Sequence, residues 1–328
     1  MSTDTSGGRL SAGHRPVRRQ CAEAVLMVRP ASAAYNPETA PTNKLQRSPA
    51  SAGGEEAAIA RKEHDGLAAA LASEGVRVCL VEDTPEPAKP DAAFPNNWVS
   101  FHEDGTVVLY PMQVESRRRE RRRDVIDAVT ARLGFKVSRI LDLTSHEAQG
   151  RYLEGTGSLV LDHILRTAYA CLSARTHALV VEEWCRELGY EPMIFSAADR
   201  AGVPLYHTNV LLCIGERLAV VGTEAIVAAD RGRVIERLRG TGREVIEIGH
   251  EEIGRFAGNM LELGTWDEAL GDCRVLVMSD AARHALHPEA FARLSACTDQ
   301  VLAVPVPTIE RLGGGGVRCM LAEVFLPA

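Results

Sequence analysis

The sequence predicts an α/β protein made of five ββαβ quasi-repeats closed into a ring. Helical segments open near residues 55, 117, 177, 231 and 288. That period of roughly 55 to 60 residues marks a radial or stacked array of supersecondary units. Each helix after the first follows a pair of short apolar runs and precedes another. The first unit lacks one strand of its pair, and the apolar run at the C-terminus supplies it, which would close the ring and remove exposed sheet edges.

In chain order, 24–28 is an apolar run stopped by Arg29-Pro30 and reads as a strand. The loop 31–54 is rich in Pro, Ala, Asn and Ser, with a turn signal at Tyr35-Asn36-Pro37-Glu38-Thr39. A loop of that length is either mobile or functional. Ile59, Leu67, Ala70 and Leu71 give 55–74 a helical stripe, ended by Gly75, and 76–81 is a buried-type strand. The second unit has a hairpin, 98–101 and 106–109, around Glu103-Asp104-Gly105, then a helix over 117–133 and a strand over 137–141. Strands 158–161 and 167–172, helix 177–188 and strand 192–195 form the third. Strands 210–214 and 218–221, helix 231–239 and strand 244–248 form the fourth. Strands 260–263 and 274–278, helices between 281 and 296, and strand 300–304 form the fifth, and 320–325 is the closing strand. Residues 1–22 read as a flexible tail and 23–328 as one domain.

The composition is that of a soluble globular protein: 328 residues, 45% hydrophobic, 25% charged, with net charge −7. It points to neither nucleic acid nor an anionic membrane as partner, and no apolar run is long enough for a bilayer span. The eight cysteines have neither C-x-x-C nor zinc-like spacing. They read as reduced thiols of a cytoplasmic protein needing no metal or cofactor.

Chemistry gathers where chain enters strands. Leu312-Gly313-Gly314-Gly315-Gly316-Val317-Arg318-Cys319-Met320 sets a thiol between a glycine run and a strand, a place suited to a nucleophile. Leu153-Glu154-Gly155-Thr156-Gly157 offers a carboxylate, Tyr206-His207-Thr208-Asn209 an imidazole, and Asp91-Ala92-Ala93-Phe94-Pro95-Asn96-Asn97-Trp98 polar groups at matching positions. In a ring these positions meet at one pocket, where Cys, His and Glu make the set for covalent catalysis. Asp91 can serve either a ligand or the strand entrance. Arg318 reads as structural, because neighbours on a strand face opposite ways. Most of the basic run Arg117-Arg118-Arg119-Glu120-Arg121-Arg122-Arg123 reads as a solvated helix face.

In that order these motifs resemble the guanidino-group-modifying superfamily: arginine deiminases, dimethylargininases, arginine dihydrolases and glycine amidinotransferases, and most of all citrulline-utilisation hydrolases. The resemblance spans nearly everything after Ala24. It implies the five-bladed α/β propeller called the pentein fold. It also implies Cys319 as nucleophile, His207 as general acid/base and Glu154 as the carboxylate contacting histidine and substrate. Arg117 and Arg175 match clamps for a substrate α-carboxylate, and Asn36 falls in the loop that lids the site in relatives. Deiminases hold their cationic substrate between two aspartates; Asn97 and Asn209 stand there instead. Neutral amides suit a neutral ureido group, so a citrulline-like substrate is expected, split to ornithine, ammonia and carbon dioxide. The alternatives are an arginine deiminase, arginine dihydrolase, dimethylargininase or amidinotransferase, or a ligand-binding protein on the same scaffold. The partner is a small ureido or guanidino amino acid, and self-association as a homo-oligomer stays open. A phosphate nest at the glycine run lacks the following Lys-Ser/Thr.

Overall fold

The computed structural model describes residues 19–32, 34–49, 55–267 and 271–325. Its strands are β1 (Ala24–Arg29), β2 (Arg77–Glu82), β3 (Val99–Phe101), β4 (Thr106–Leu109), β5 (Arg139–Asp142), β6 (Leu159–Asp162), β7 (Thr167–Leu172), β8 (Glu191–Ser196), β9 (Leu212–Ile214), β10 (Leu218–Val221), β11 (Glu244–Glu247), β12 (Leu261–Asp267), β13 (Gly271–Ser279), β14 (Gln300–Val304) and β15 (Ala322–Val324). Helices Glu55–Ser73, Arg123–Leu133, Ala178–Leu188, Ala228–Arg239 and Pro288–Ser295 each come before the third strand of a unit. The expected glycine stops hold: Gly134 and Gly189 cap their helices with φ of 75° and 70°, a conformation that costs glycine little.

Every unit has one pairing scheme. An inner strand runs antiparallel to a middle strand, which pairs in parallel with the outer strand: β3-β4-β5, β6-β7-β8, β9-β10-β11 and β12-β13-β14. In the first unit β15 is the inner strand, pairing antiparallel to β1, which pairs in parallel with β2. The C-terminal strand therefore completes the N-terminal unit, as its apolar pattern predicts. β15 also meets β3 at Val324 and Phe101, joining the first two units into one six-stranded sheet, while the other three remain separate three-stranded sheets.

Sheet edges therefore survive, contrary to the expectation that closure removes them. Three of the five outer strands are sealed differently. Arg132, Arg233 and Arg293, each on the helix of the following unit, donate to the carbonyls of Leu80 on β2, Ile194 on β8 and Val245 on β11. An edge carbonyl already bonded is not offered to another chain.

Three sequence boundaries need correction. The helix expected over 117–133 is two pieces, Glu115–Arg118 and Arg123–Leu133, because Arg122 is extended and opens the second. A single helix would stack the arginines as like-charged neighbours. Broken, the run sends them apart: Arg118 and Arg121 to Glu147, and Arg122 to Asp83. The tail assigned to 1–22 lies outside the described residues up to 18. Within it, Gln20, Cys21 and Ala22 are buried, and the Gln20 amide donates to the Leu161 and Ile214 carbonyls. The strands expected to begin at 98, 158, 210 and 320 begin one or two residues later, each after a single helical turn.

The core between the second and third units carries a buried polar chain. Trp184 Nε1 donates to the Tyr110 hydroxyl (2.8 Å), which bonds Ser100 Oγ (2.7 Å), which bonds His102 Nε2 (2.8 Å). Burial lowers the pKa of His102 to about 4, and does the same to His64 on the first helix. Unfolded, both titrate near the ordinary value of about 6.5. The stability of keeping them neutral is therefore complete above about pH 6.5 and is lost as pH falls toward 4. The unfolding free energy measured by denaturant titration should fall steadily on acidification through that window, by on the order of 3 kcal/mol per histidine. His102→Gln should be less stable at neutral pH yet flatter in its pH dependence.

Candidate active site

Chain leaving each helical turn enters an inner strand, and the turns carry the chemistry. Pro95–Asn97 leads to β3, Gly155–Ser158 to β6, Thr208–Val210 to β9 and Val317–Met320 to β15. Asn97 ends the first, Glu154 and His207 precede the second and third, and Cys319 lies within the fourth. The glycine run before Cys319 begins as the end of an unforeseen helix, Pro307–Gly313, with Gly314 left-handed at φ 62°.

One cavity is lined by Asp91, Asn97, Arg117, Arg175, His207 and Cys319, together with Tyr206 and Gly314. Asn36, Glu154 and Asn209 are buried behind it, each bonded to a lining residue. The structure thus gathers every residue singled out from the sequence. The free space is about 10 Å³, about one water's worth.

Glu154 is fully buried and connects most of the set. Its Oε2 accepts from His207 Nε2 at 2.9 Å and lies 3.5 Å from Arg175 Nη1 and 3.6 Å from Arg117 Nη1, while Oε1 accepts from the Gln113 amide. Burial pushes its pKa up, but Arg175, the His207 bond and Arg117 outweigh burial and hold it well below the usual carboxylate range. An ionised Glu154 can only accept, so the His207 proton facing it is on Nε2 and Nδ1 keeps its lone pair. Burial dominates for His207 itself, lowering its pKa to about 4 against the pull of Glu154. The imidazole is neutral at pH 7 and able to take a proton.

Gly157 makes this packing fit. A Cβ there would lie 2.4 Å from Asn97 Nδ2 and 2.7 Å from His207 Nδ1. Arg117 is held by Glu120 through two 2.9 Å bonds from Nε and Nη2, which leaves Nη1 to donate to Asn97 Oδ1 at 2.7 Å. Asp91 accepts from Asn36 Nδ2 at 2.7 Å through Oδ2, while its buried Oδ1 has no hydrogen-bond partner. Burial pushes the Asp91 carboxyl up against the pull of Arg117 and Asn36.

The early loop is strapped across this cavity. Arg175 Nη2 donates to the Thr39 carbonyl (2.9 Å) and Thr42 Oγ1 (2.8 Å), Asn43 donates to the Gly313 and Gly314 carbonyls, and Gln46 to Leu312. Tyr206 also donates to the Gly314 carbonyl. Thr39, Thr42, Asn43 and Gln46 were not singled out from the sequence, although they share the turn-rich loop with Asn36.

Cys319 Sγ lies 3.3 Å from Asn259 Nδ2 and 3.5 Å from Asn209 Nδ2. Burial pushes the thiol up; Asn259, Arg318 and Asn209 pull it down in that order. Arg318 itself turns away to the Leu321 carbonyl and Glu323, as expected of a structural residue, although it and Cys319 share a helical turn and not the strand on which that expectation rested. Asn259 is the residue that sequence reading missed. It stands two positions before β12, as Asn97 stands two before β3, and that shared register was the available signal. Among the described residues no group of His, Cys, Asp and Glu is placed to hold a metal.

Comparisons with known proteins agree with this geometry. The N-terminal domain of ArgZ, an arginine dihydrolase from the ornithine-ammonia cycle in cyanobacteria, in a serine mutant bound to substrate, matches with TM-score 0.70 and 17% identity over 93% of this chain and 98% of that one. Unliganded AgrE matches with TM-score 0.69 and 18% identity over 93% of this chain but 39% of its own, so the chain corresponds to part of AgrE. DDAH from Pseudomonas aeruginosa, a serine mutant complexed with citrulline, matches with TM-score 0.62 and 18% identity over 92% and 99%. These likenesses show the shared α/β fold. No curated protein sequence matches significantly. The family model for N,N dimethylarginine dimethylhydrolase, eukaryotic, matches residues 29–326. The chain therefore belongs to that family, within the guanidino-group-modifying superfamily, and is a cysteine-dependent hydrolase of carbon–nitrogen bonds other than peptide bonds.

Proposed function

We propose that the enzyme hydrolyses the ureido group of a citrulline-like amino acid. One observation carries this: the amide of Asn97 is oriented by Arg117. A guanidinium can only donate, so the Asn97 atom 2.7 Å from Arg117 Nη1 is its oxygen. Its NH₂ gives one hydrogen to Asn96 Oδ1 at 3.1 Å and keeps the other for the cavity. A ureido carbonyl can accept that hydrogen, whereas a guanidinium has no acceptor to offer. Asn209 adds a second neutral amide beside the sulfur.

In this reading Asp91 takes the α-ammonium on its unpartnered Oδ1, steadied by Asn36. Arg117 and Arg175 take the α-carboxylate, and Arg175 exchanges its bonds to Thr39 and Thr42 for the ligand as the strap opens. Neutral His207 accepts the Cys319 proton while the sulfur attacks the ureido carbon. The carbon–nitrogen bond then breaks, and His207 gives the proton to the leaving nitrogen. An S-carbamoyl enzyme remains. His207 next takes a proton from water, whose oxygen attacks the same carbon, and sulfur departs as thiolate to be reprotonated. The released carbamic acid falls to carbon dioxide and an amine. From citrulline the sum is ornithine, ammonia and carbon dioxide.

The proposal includes a five-bladed ring formed by residues 23–328 as a single domain. Supporting it, helix Glu55–Ser73 of the first unit packs against β14 of the last, and β15 bridges β1 and β3. The eight cysteines, scattered in sequence with neither C-x-x-C nor zinc-like spacing, suit a reducing cytoplasm, and no helix among the described residues is long and apolar enough to cross a membrane.

The second reading, hydrolysis of arginine or a methylated arginine, is favoured by the family match. Assaying purified protein on citrulline, arginine and dimethylarginine separates the two. Citrulline should be turned over with kcat/KM on the order of ten-thousandfold above either guanidino compound, the scale on which a site built to hydrogen-bond one group rejects an analogue that leaves its polar groups unpaired. Turnover of the guanidino compounds alone would reject the ureido reading. Cys319→Ser should abolish turnover while leaving substrate binding intact, and mass spectrometry of quenched wild type should find a carbamoyl adduct on Cys319. Asn209→Asp should erode the preference for citrulline by about tenfold or more, because a carboxylate there favours a cation.

A further inference from the structure

Asn259 is wholly buried, lies in the one unit that supplied no site residue from the sequence, and points its amide at the proposed nucleophile. Which end of that amide faces the sulfur follows from its other neighbour. The atom that lies 3.3 Å from Cys319 Sγ also lies 2.9 Å from the Asn209 main-chain carbonyl. A carbonyl only accepts, so this atom is the NH₂ nitrogen. One hydrogen goes to the carbonyl and the other is aimed at sulfur. The Asn259 oxygen is buried with no hydrogen-bond partner, and a Cβ on Gly316 would lie 2.8 Å from it, so the glycine gives this end of the side chain room.

We infer that Asn259 is a catalytic residue whose amide hydrogen stabilises Cys319 as the thiolate through both halves of the reaction. This deepens the proposed function and rests on Cys319 as nucleophile. The sulfur gains negative charge twice: when it gives up its proton, and when it leaves the acyl carbon. A fixed donor at the sulfur favours both states and needs no rearrangement. The charged groups around Cys319 do not replace this contact. Arg318 is turned to Leu321 and Glu323, and Arg117 and Arg175 are bonded to Glu120, Glu154 and the strap. His207 is neutral, Tyr206 is bonded to Gly314, and Asp91, which also lines the cavity, is acidic. Asn259 is the nearer of the two side-chain amide donors and carries no charge, so it stabilises the anion without drawing in a second carboxylate.

The test reads the thiolate directly, by its ultraviolet absorbance against pH, as the difference between wild type and Cys319→Ser. Asn259→Ala should raise the midpoint by about one pH unit, a tenfold loss of thiolate at fixed pH. The alkaline rise of kcat/KM with the substrate that is turned over should move by the same amount. Near-isosteric Asn259→Asp should raise the midpoint further, since it replaces a donor with an anion, and it carries the test if the alanine variant fails to fold. An unmoved midpoint in whichever of the two folds, whatever its melting temperature, overturns the proposal and leaves Asn259 a packing residue. The midpoint needs no turnover. Failure of the proposed reaction appears separately, as Cys319→Ser retaining hydrolysis or citrulline not being consumed.

Discussion

The site depends on one buried charge. Glu154 is enclosed by protein, and an isolated carboxylate there would be expensive. It is tolerated because Arg175, His207 and Arg117 reach it from other parts of the chain and a backbone amide takes its second oxygen. Removing any partner of a buried ion pair leaves the rest uncompensated, typically about 3–5 kcal/mol. The carboxylate also chooses the histidine's tautomer. By accepting the Nε2 hydrogen it leaves a lone pair on Nδ1, so the same contact that ties the third and fourth units together sets up the imidazole for the proton transfer proposed for it.

The architecture makes such convergence cheap to build. The candidate side chains Asn97, Glu154, His207, Asn209 and Cys319 stand on, or just before, a single helical turn that runs into the inner strand of a unit. The inner strand is locked in register by antiparallel pairing with the middle strand, so the turn before it has little freedom. Four copies of this device bring Cys319, Asn97, Glu154, and His207 with Asn209 to a common place, and Asn259, two residues before β12, joins them from the fifth unit without such a turn. The close contacts this produces are tolerated only where a glycine replaces a side chain, as at Gly157, whose missing Cβ is filled by His207 and Asn97.

Much of this was legible in the sequence, for physical reasons. The repeat was visible because each helix needs an apolar stripe and each inner strand a continuous apolar run. The reactive residues were visible because a polar group at the mouth of a buried strand is conspicuous. Less legible were features set by tertiary contacts. The break after Arg118 has no proline or glycine to announce it; it is set by where Glu120, Glu147 and Asp83 can pair with arginines. The strap's bonds to Arg175 and to the glycine carbonyls join residues far apart in sequence. Asn259 was hidden for another reason. Next to a glycine it reads as an ordinary turn residue, and only the register shared with Asn97 separates it from one.

Charge already committed inside the cavity bears on the substrate. Glu120 is spent on Arg117, and Glu154 is shared among His207, Arg175 and Arg117. Asp91 is the carboxylate with an unused oxygen. An α-amino acid brings one ammonium, which Asp91 can match. A guanidinium would bring a second cation to the end of the cavity where Asn97 and Asn209 stand, and neither amide can neutralise it. Pulling Glu154 toward that cation would weaken its hold on His207, the group that must keep its lone pair. A neutral ureido head makes no such demand: it can receive a hydrogen from Asn97 while Glu154 stays with the imidazole. On the proposed reading, replacing aspartate by asparagine leaves the acid–base pair undisturbed when substrate binds.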